Sequence, residues 1–228
     1  MPARRSDPLS FCLRALAGAY GAKRAPARRS RPPALDELIL TVLSQNTNDR
    51  NRDRAYRSLR QRFPGWEDVL AAPTPAIVAA IRVGGLAEQK ARRIQALLTR
   101  VKETDGSLSL ERLCAMPQEE ARNYLLSFKG VGDKTAACVL LFSCGRPVFP
   151  VDTHILRVSQ RLGLIPEKAS AKQAHELLDA RVPDDRKYEF HLNLIAHGRA
   201  VCHARKPECT VCCLKSKCRY FQRMKSKA

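Results

Sequence analysis

Apolar residues recur at helical spacing along most of this chain, and this recurrence limits the possible fold more than any other feature. One stretch follows the i, i+3, i+4, i+7 rule through Leu35, Leu38, Ile39, Val42 and Leu43. Many segments begin with Asp, Ser, Thr or Pro and end on glycine, which is the usual punctuation of short helices. Runs that alternate apolar and polar residues, as strands do, are nearly absent. We therefore expect an all-α protein of short helices joined by tight turns.

The charge of the chain indicates the kind of partner it binds. Its 228 residues include 41 Lys and Arg against 22 Asp and Glu, so the formal net charge is +19. Such an excess favours a polyanion, most often nucleic acid, with an acidic membrane surface as the second choice. No apolar run approaches the roughly 20 residues that a membrane-spanning helix needs. The N-terminal stretch also lacks the apolar core of a secretory signal, so we expect an intracellular protein without a membrane partner.

The nine cysteines are unevenly distributed, and five of them lie between Cys202 and Cys218. Four of these form a C-x6-C-x2-C-x5-C pattern, with Cys213 as an extra neighbour: Cys202, Cys209, Cys212 and Cys218. Four thiolates suit either Zn²⁺ or an iron–sulfur cluster. Structural zinc sites usually pair two C-x2-C knuckles across a longer gap, whereas this compact loop has only one, which favours a cluster. Nearby Arg205 and Lys206 would let the same loop present cations to phosphate.

The other four cysteines lie among apolar residues and are expected to be core or partly exposed thiols. They are Cys12, Cys114, Cys138 and Cys144. A chain of this length can bury a sizeable core. We therefore expect it to need no disulfide.

The stretch FKGVGDKT, which begins at Phe128, combines a glycine turn with a lysine. Gly130 and Gly132 allow an unusual backbone path, and the turn leads into a helix that begins near Asp133. Exposed N–H groups at such a turn can bind one phosphate, although a glycine pair is also common in ordinary helix connections. Lys134 falls in the first helical turn, where the helix dipole disfavours its charged form. A neutral lysine amine forms Schiff bases, whereas a charged surface lysine would contact phosphate only.

Asp152 follows Lys134 by 18 positions, after a segment that two prolines stiffen. The segment is long enough to return the chain towards the lysine. A carboxylate there could accept a proton or stabilise positive charge on a sugar ring. Asp152 also falls at the N-cap position of the next helix, so capping alone would explain it.

The stretches KGVGDKT, VDTHILRV and AHGRAVCHARKPECTVCCLKSKCRY together resemble the endonuclease III family of the helix–hairpin–helix DNA glycosylase superfamily. The resemblance extends from about residue 35 to residue 220. It implies an all-α, two-domain fold with a C-terminal iron–sulfur cluster loop. One domain would be a six-helix bundle that spans residues 36–147 and contains the helix–hairpin–helix at about 123–145. The other would combine residues 1–35 and 148–228 and hold a [4Fe–4S] cluster on the four cysteines.

The resemblance also implies an activity: the removal of oxidised pyrimidines such as thymine glycol from duplex DNA, followed by cleavage at the abasic site. Lys134 matches the nucleophile that attacks C1′, and Asp152 matches the acid that assists it. The implied partner is double-stranded DNA containing damaged bases or abasic sites, bound by a monomer. A cytoplasmic location is implied as well, on the nucleoid if the source is bacterial.

Several further residues match DNA-contacting positions of the family. The hairpin would hold backbone phosphate through Gly130, Val131 and Gly132. Gln45 or Asn46 would fill the space that a flipped base leaves, and Leu86 would act as an apolar wedge. The alternatives are a polar helix end for Gln45 and Asn46 and a core position for Leu86. His154 and His197 lie in matched segments, and we expect them to be structural.

The chain departs from the family pattern at two points, and its motifs are also compatible in part with two other functions. Phe128-Lys129 precede the hairpin where the family more often has Leu-Pro, and Asp133 is expected to raise the pKa of its neighbour Lys134.

A mismatch or adenine glycosylase would share the hairpin, Asp152 and the cluster, but glycosylases that only remove a base commonly lack the lysine. A DNA-binding module without activity would need neither Lys134 nor Asp152.

Overall fold

The computed structural model describes residues 7–226; residues 1–6, at the start of the basic N-terminal arm, and residues 227–228 lie outside it. The described part contains helices and no strand, so the predicted all-α class is confirmed. Its α-helices are α1 (Pro8–Tyr20), α2 (Ala34–Leu43), α3 (Asp49–Arg62), α4 (Trp66–Ala71), α5 (Thr74–Ile81), α6 (Ala87–Asp105), α7 (Gln118–Leu126), α8 (Asp133–Phe142), α9 (Thr153–Leu162), α10 (Ala171–Arg181), α11 (Lys187–Ala200) and α12 (Arg219–Lys225).

Local sequence signals set many of the helix boundaries. Asn48 caps α3 by accepting a hydrogen bond from the backbone N–H of Asn51. Ser170 and Gln173 form a reciprocal capping box at the start of α10. At the other end of α6, Gly106 adopts a φ of 70°, a left-handed conformation that glycine tolerates best. These signals are short-range, which is why they could be read from the sequence.

The chain divides into two compact units: Ala27–Arg146, and the chain up to Pro26 together with the chain from Pro147 onward. The first unit contains α2–α8, and the second contains α1 and α9–α12. The domain bounds expected from the resemblance, 36–147 for one domain and the remainder for the other, stay a prediction.

Helix α2 is the centre of the Ala27–Arg146 unit. It packs against α8, α3 and α6, and its apolar face is fully buried at Leu38, Ile39 and Val42. Burial of one such side chain contributes about 1.5–3 kcal/mol, so this face is a main source of the unit's stability. The helical spacing seen in the sequence therefore marks a core helix.

A disulfide joins Cys114 to Cys144 in the same unit, so the prediction that both are thiols was wrong. Cys114 ends a short 3₁₀ turn and Cys144 follows the end of α8, and their Cα atoms lie 4.7 Å apart. Arg146 helps to hold these segments together, because its Nη2 donates to the carbonyl oxygens of Cys114 and Met116. The loop that the disulfide closes contains α7, the glycine turn and α8. Cys12 and Cys138 are buried thiols, as expected.

The second unit has its own core. Helix α11 packs against α1 and α9, and the shared interior includes Leu16, Ile155, Phe190 and Leu194. The rings of Phe149 and Phe190 lie 5.7 Å apart at their centroids. Among the described residues, no helix combines the length and the apolar character needed to cross a bilayer.

Candidate functional site

The glycine turn between α7 and α8 has one buried and two exposed residues. Gly130 has a φ of 85°, a left-handed value that favours glycine, and a Cβ there would collide with the Arg93 side chain. Val131 is buried and its N–H donates to the Phe128 carbonyl at 3.0 Å. Gly132 is exposed and precedes the first residue of α8. The turn thus presents backbone at a helix N-terminus, an arrangement that suits an anion.

Lys134 is the second residue of α8 and is half-buried. The carboxylate of its neighbour Asp133 accepts a hydrogen bond from Arg122 Nη2 at 2.6 Å. Arg122 also pairs with Glu119 on α7. From the sequence alone, the negative charge of Asp133 was expected to act on its neighbour Lys134. In the structure, the charge of that carboxylate is offset by an arginine on the preceding helix.

Glu37 is a buried carboxyl on α2, the helix that packs against α8, and sequence analysis missed it. It is 9% exposed and accepts a hydrogen bond from Thr41 Oγ1 at 3.2 Å. Burial raises the pKa of Glu37 to about 7, against the opposing effects of the Thr41 hydrogen bond and of the positive charges on Lys134 and Arg52. The available signal was a Glu and a Thr four residues apart on a helix that is apolar apart from these two residues and Asp36.

Asp152 lies in the other compact unit, where it is half-buried at the N-cap of α9. Its Oδ1 accepts a hydrogen bond from the N–H of Ile155 at 2.8 Å, so the capping role expected from the sequence is present. The two residues before it are anchored to helices of the same unit. Val151 N–H donates to His175 Nε2 at 3.3 Å, and Pro150 accepts from His191 Nδ1 at 2.9 Å. The extended segment therefore holds Asp152 at a fixed position within its unit.

The two histidines in the matched segments have structural contacts, as expected. His197 is buried, with Nδ1 3.0 Å from the Tyr20 hydroxyl and Nε2 3.4 Å from the Cys212 sulfur. Burial lowers the pKa of His197 to about 4. His154 Nδ1 lies 3.0 Å from Arg157 Nη2, which also donates to the Gly198 carbonyl.

The predicted plug and wedge residues lie on two turns of the Ala27–Arg146 unit. Asn46 is exposed and has a φ of 52°, and Leu86 is 50% exposed with a φ of 49°. Left-handed conformations are uncommon for residues other than glycine and are often found at functional positions. The alternative that Leu86 is a core residue does not fit its exposure. The Gln45 side chain contacts both the glycine turn and α6, since Nε2 donates to the Gly130 carbonyl at 3.5 Å and Oε1 accepts from Arg93 Nη1.

Lys90, on α6, is a second buried residue that sequence analysis missed. Its side chain is 1% exposed, and Nζ donates to the carbonyl oxygens of Leu43 and Gly84, each at 2.8 Å. Burial lowers the pKa of this amine. Leu43 precedes the turn that carries Gln45 and Asn46, and Gly84 precedes the turn that carries Leu86. One buried amine therefore fixes the backbone of both turns.

The four patterned cysteines line one small cavity in the second unit, together with Arg161, Leu162 and His197 among others. Cys213 is exposed and is not part of the cavity wall, as expected. Burial raises the pKa of Cys212 to about 11, and the charges of Cys213, Cys202 and Cys218 add to this effect. The pKa of Cys209 is raised by burial and then by Cys218 and Cys202.

Soft sulfur donors gathered around one cavity suit a metal or an iron–sulfur cluster, and a bound cation would remove the mutual repulsion of their thiolates. Within residues 7–226, no three Cys, His, Asp or Glu side chains are arranged to hold a single metal ion. Arg205 and Lys206 are exposed on the same loop, and Lys206 has a φ of 49°.

The sequence of residues 39–184 matches the family of HhH-GPD superfamily base excision DNA repair proteins. This match covers more than half of the chain, which therefore belongs to that family, and the predicted resemblance is confirmed.

Among its relatives, endonuclease III of Sulfolobus acidocaldarius is 35% identical over 188 residues, which cover 81% of each protein. Endonuclease III of Bacillus subtilis is 32% identical over 219 residues, which cover 96% of this chain and 95% of the relative. An Arabidopsis thaliana protein that carries the name of a DNA glycosylase is 41% identical over 172 residues, 75% of this chain and 59% of its own length.

Solved structures agree with the sequence relatives. A trapped covalent intermediate of an endonuclease III with DNA superposes with a TM-score of 0.81 at 28% identity, covering 95% of this chain and 96% of the other. A thermostable thymine-DNA glycosylase has a TM-score of 0.76 at 26% identity and covers 94% and 95% of the two chains. These likenesses support DNA binding and an enzyme with DNA glycosylase and abasic-site lyase activity.

Proposed function

We propose that this protein is a bifunctional DNA glycosylase and abasic-site lyase that removes oxidised pyrimidines, such as thymine glycol, from duplex DNA. The observation that carries the proposal is the position of Lys134, in the first turn of a helix that directly follows an exposed glycine turn. The turn is suited to hold a backbone phosphate, which would bring a nucleotide within reach of the amine. The covalent protein–DNA intermediate trapped for an endonuclease III supports a nucleophile of this kind.

In the proposed reaction the neutral Lys134 amine attacks C1′ of the damaged nucleotide. The C1′–N bond breaks, and the base leaves with its electron pair and takes up a proton. Loss of a proton from the amine and opening of the sugar ring give a Schiff base. Removal of a proton from C2′ then expels the 3′ phosphate by β-elimination. Asp152 would accept a proton from the amine or stabilise the positive charge that develops on the sugar.

The damaged base must leave the stack before this chemistry, at a cost of a few kcal/mol. The half-exposed Leu86 and the residues Gln45 and Asn46 are proposed to enter the duplex and offset that cost. Gly130, Val131 and Gly132 are proposed to bind backbone phosphate, with Arg205 and Lys206 as further phosphate contacts. We also propose that the protein acts as a monomer inside the cell, where such DNA is found.

The cysteine cavity is proposed to hold a [4Fe–4S] cluster on Cys202, Cys209, Cys212 and Cys218. The cluster would crosslink the loop that carries Arg205 and Lys206, and no reaction step is assigned to it. Chemical analysis of protein purified without oxygen should find about four iron and four sulfide per chain, with the visible absorbance typical of such clusters. Cys212→Ser should lower the iron content, whereas Cys213→Ser should retain it. Stoichiometric zinc without iron would overturn this assignment.

Borohydride trapping tests the proposed reaction. The full chain is incubated with a duplex that contains one thymine glycol and is then reduced. Wild type should give a covalent protein–DNA adduct, and Lys134→Gln should lower its yield by about a thousandfold or more. Lys129→Gln is the matched control, because it removes an exposed lysine at the same turn and should trap normally at saturating protein.

Each other outcome overturns a stated part of the proposal. No adduct with wild type on either thymine glycol or abasic-site DNA would contradict the lyase activity. Full trapping by Lys134→Gln would assign the nucleophile to another amine. An adduct with abasic-site DNA and none with thymine glycol would overturn the preference for oxidised pyrimidines.

A further inference from the structure

Arg93, on α6, contacts two of the elements that the proposed function places on DNA. Its Nη1 donates to Oε1 of Gln45, and its side chain covers the Cα of Gly130 so closely that a Cβ there would collide with it. Gln45 in turn donates from Nε2 to the Gly130 carbonyl at 3.5 Å. Arginine has no acceptor, so the contact also fixes which end of the Gln45 amide faces α6.

The backbone around these side chains is already fixed by Lys90, one helical turn before Arg93. Its buried amine binds the Leu43 and Gly84 carbonyls, each at 2.8 Å. Arg93 therefore extends from a helix whose position is set relative to the Gln45 turn. The backbone does not fix the side chain of Gln45, which has three rotatable bonds and only partial burial. Ordering a side chain of this kind costs free energy, and a charged donor can offset that cost.

We propose that Arg93 is a positioning residue for base extrusion, whose guanidinium holds the Gln45 side chain beside the hairpin Gly130 in the register from which it enters the duplex. Gln45 would then be ordered before DNA arrives, and phosphate binding at the hairpin would present it to the correct base step. The inference rests on the proposed function, in which Gln45 and the hairpin contact DNA.

Fluorescence of 2-aminopurine, placed beside a thymine glycol in a duplex, reports unstacking without requiring the lyase reaction. Arg93→Ala should lower the equilibrium constant for extrusion by about tenfold, the size expected for loss of one hydrogen bond to a charged group. Arg92→Ala is the matched control, because Arg92 is exposed on the same helix and pairs only loosely with Glu88, at 3.8 Å. Arg92→Ala removes one positive charge, as Arg93→Ala does, and should leave extrusion unchanged.

A double-mutant cycle separates positioning from a general loss of stability or charge. Gln45→Ala should lower extrusion by a similar factor, and the double variant Gln45→Ala, Arg93→Ala should be no worse than either single variant. Arg93→Lys keeps the charge without the planar fork, so it should keep DNA affinity and restore only part of the extrusion. Arg93→Gln provides a second uncharged variant if Arg93→Ala unfolds.

Three results would overturn the proposal: an Arg93→Ala variant that matches Arg92→Ala, effects of the two alanine changes that multiply in full, or extrusion that increases when Arg93 is removed. The outcome is independent of the proposed chemistry. If wild type unstacks the probe with this dependence on Arg93 but forms no borohydride adduct, the positioning role stands and the lyase proposal falls.

Discussion

At the scale of single residues, two charged groups of the Ala27–Arg146 unit have partners that the sequence does not show. Asp133 is paired with Arg122 at 2.6 Å, so its charge does not act on Lys134 alone. Glu37 is buried on the helix that packs against α8, and burial raises its pKa against the smaller, opposing effect of the positive charge of Lys134. The surroundings of the proposed nucleophile thus include a carboxyl whose charge is expected to change near neutral pH.

The raised pKa of Glu37 predicts a pH dependence of stability. Its ordinary value is 4.5 and its value in the folded protein is about 7, so between these limits the folded state binds a proton that the unfolded state has lost. The contribution of Glu37 to the free energy of unfolding is therefore fully present below pH 4.5 and is lost as the pH rises through about 7. The loss amounts to about 3 kcal/mol. Arg52 and Lys134 are the charges that face Glu37 from α3 and α8.

Urea unfolding of wild type and Glu37→Gln at several pH values measures this effect. The free energy of unfolding of wild type should fall relative to the variant across this range. Glu103→Gln, which changes an exposed residue of α6, should follow wild type. Parallel curves for wild type and Glu37→Gln would show that Glu37 keeps the same pKa in both states.

At the scale of elements, the features that the sequence predicted are those that neighbouring residues in the chain determine. The glycine turn before α8, the cap at Asp152 and the buried face of α2 each depend on residues within a few positions of one another. The missed features join distant positions. Gln45 and Gly130 are 85 residues apart, Gln45 and Arg93 are 48 apart, and Cys114 and Cys144 are 30 apart. Such contacts depend on how helices pack, and one sequence contains no periodic signal for them.

The Cys114–Cys144 disulfide predicts a stabilisation of the element that carries the proposed nucleophile, since the closed loop contains α7, the glycine turn and α8. In the chain-entropy view, closing a loop of this length contributes about 3–4 kcal/mol. The double variant Cys114→Ser, Cys144→Ser should therefore unfold at a lower urea concentration than wild type. Cys138→Ser is a control that keeps the disulfide. Equal midpoints for wild type and the double variant would contradict the prediction.

At the scale of the whole molecule, the helical pattern predicted the all-α class, and the motif resemblance predicted the family, which the family match confirmed. The net charge of +19 indicated a polyanion, and the cysteine pattern with the hairpin indicated the endonuclease III family. The proposed nucleophile and its assisting acid are carried by different compact units, Lys134 by one and Asp152 by the other. The local position of each could be predicted because Lys134 lies in the first turn of α8 and Asp152 caps the start of α9.

The measurement that tests the central claim most directly is peptide mapping of the borohydride-trapped adduct by mass spectrometry. The full chain is trapped on a duplex with one thymine glycol, the DNA is digested to the reduced sugar remnant, and the protein is cleaved into peptides. The account predicts a single remnant, on the ε-amine of Lys134. A remnant on the N-terminal amine or on any other lysine would contradict it.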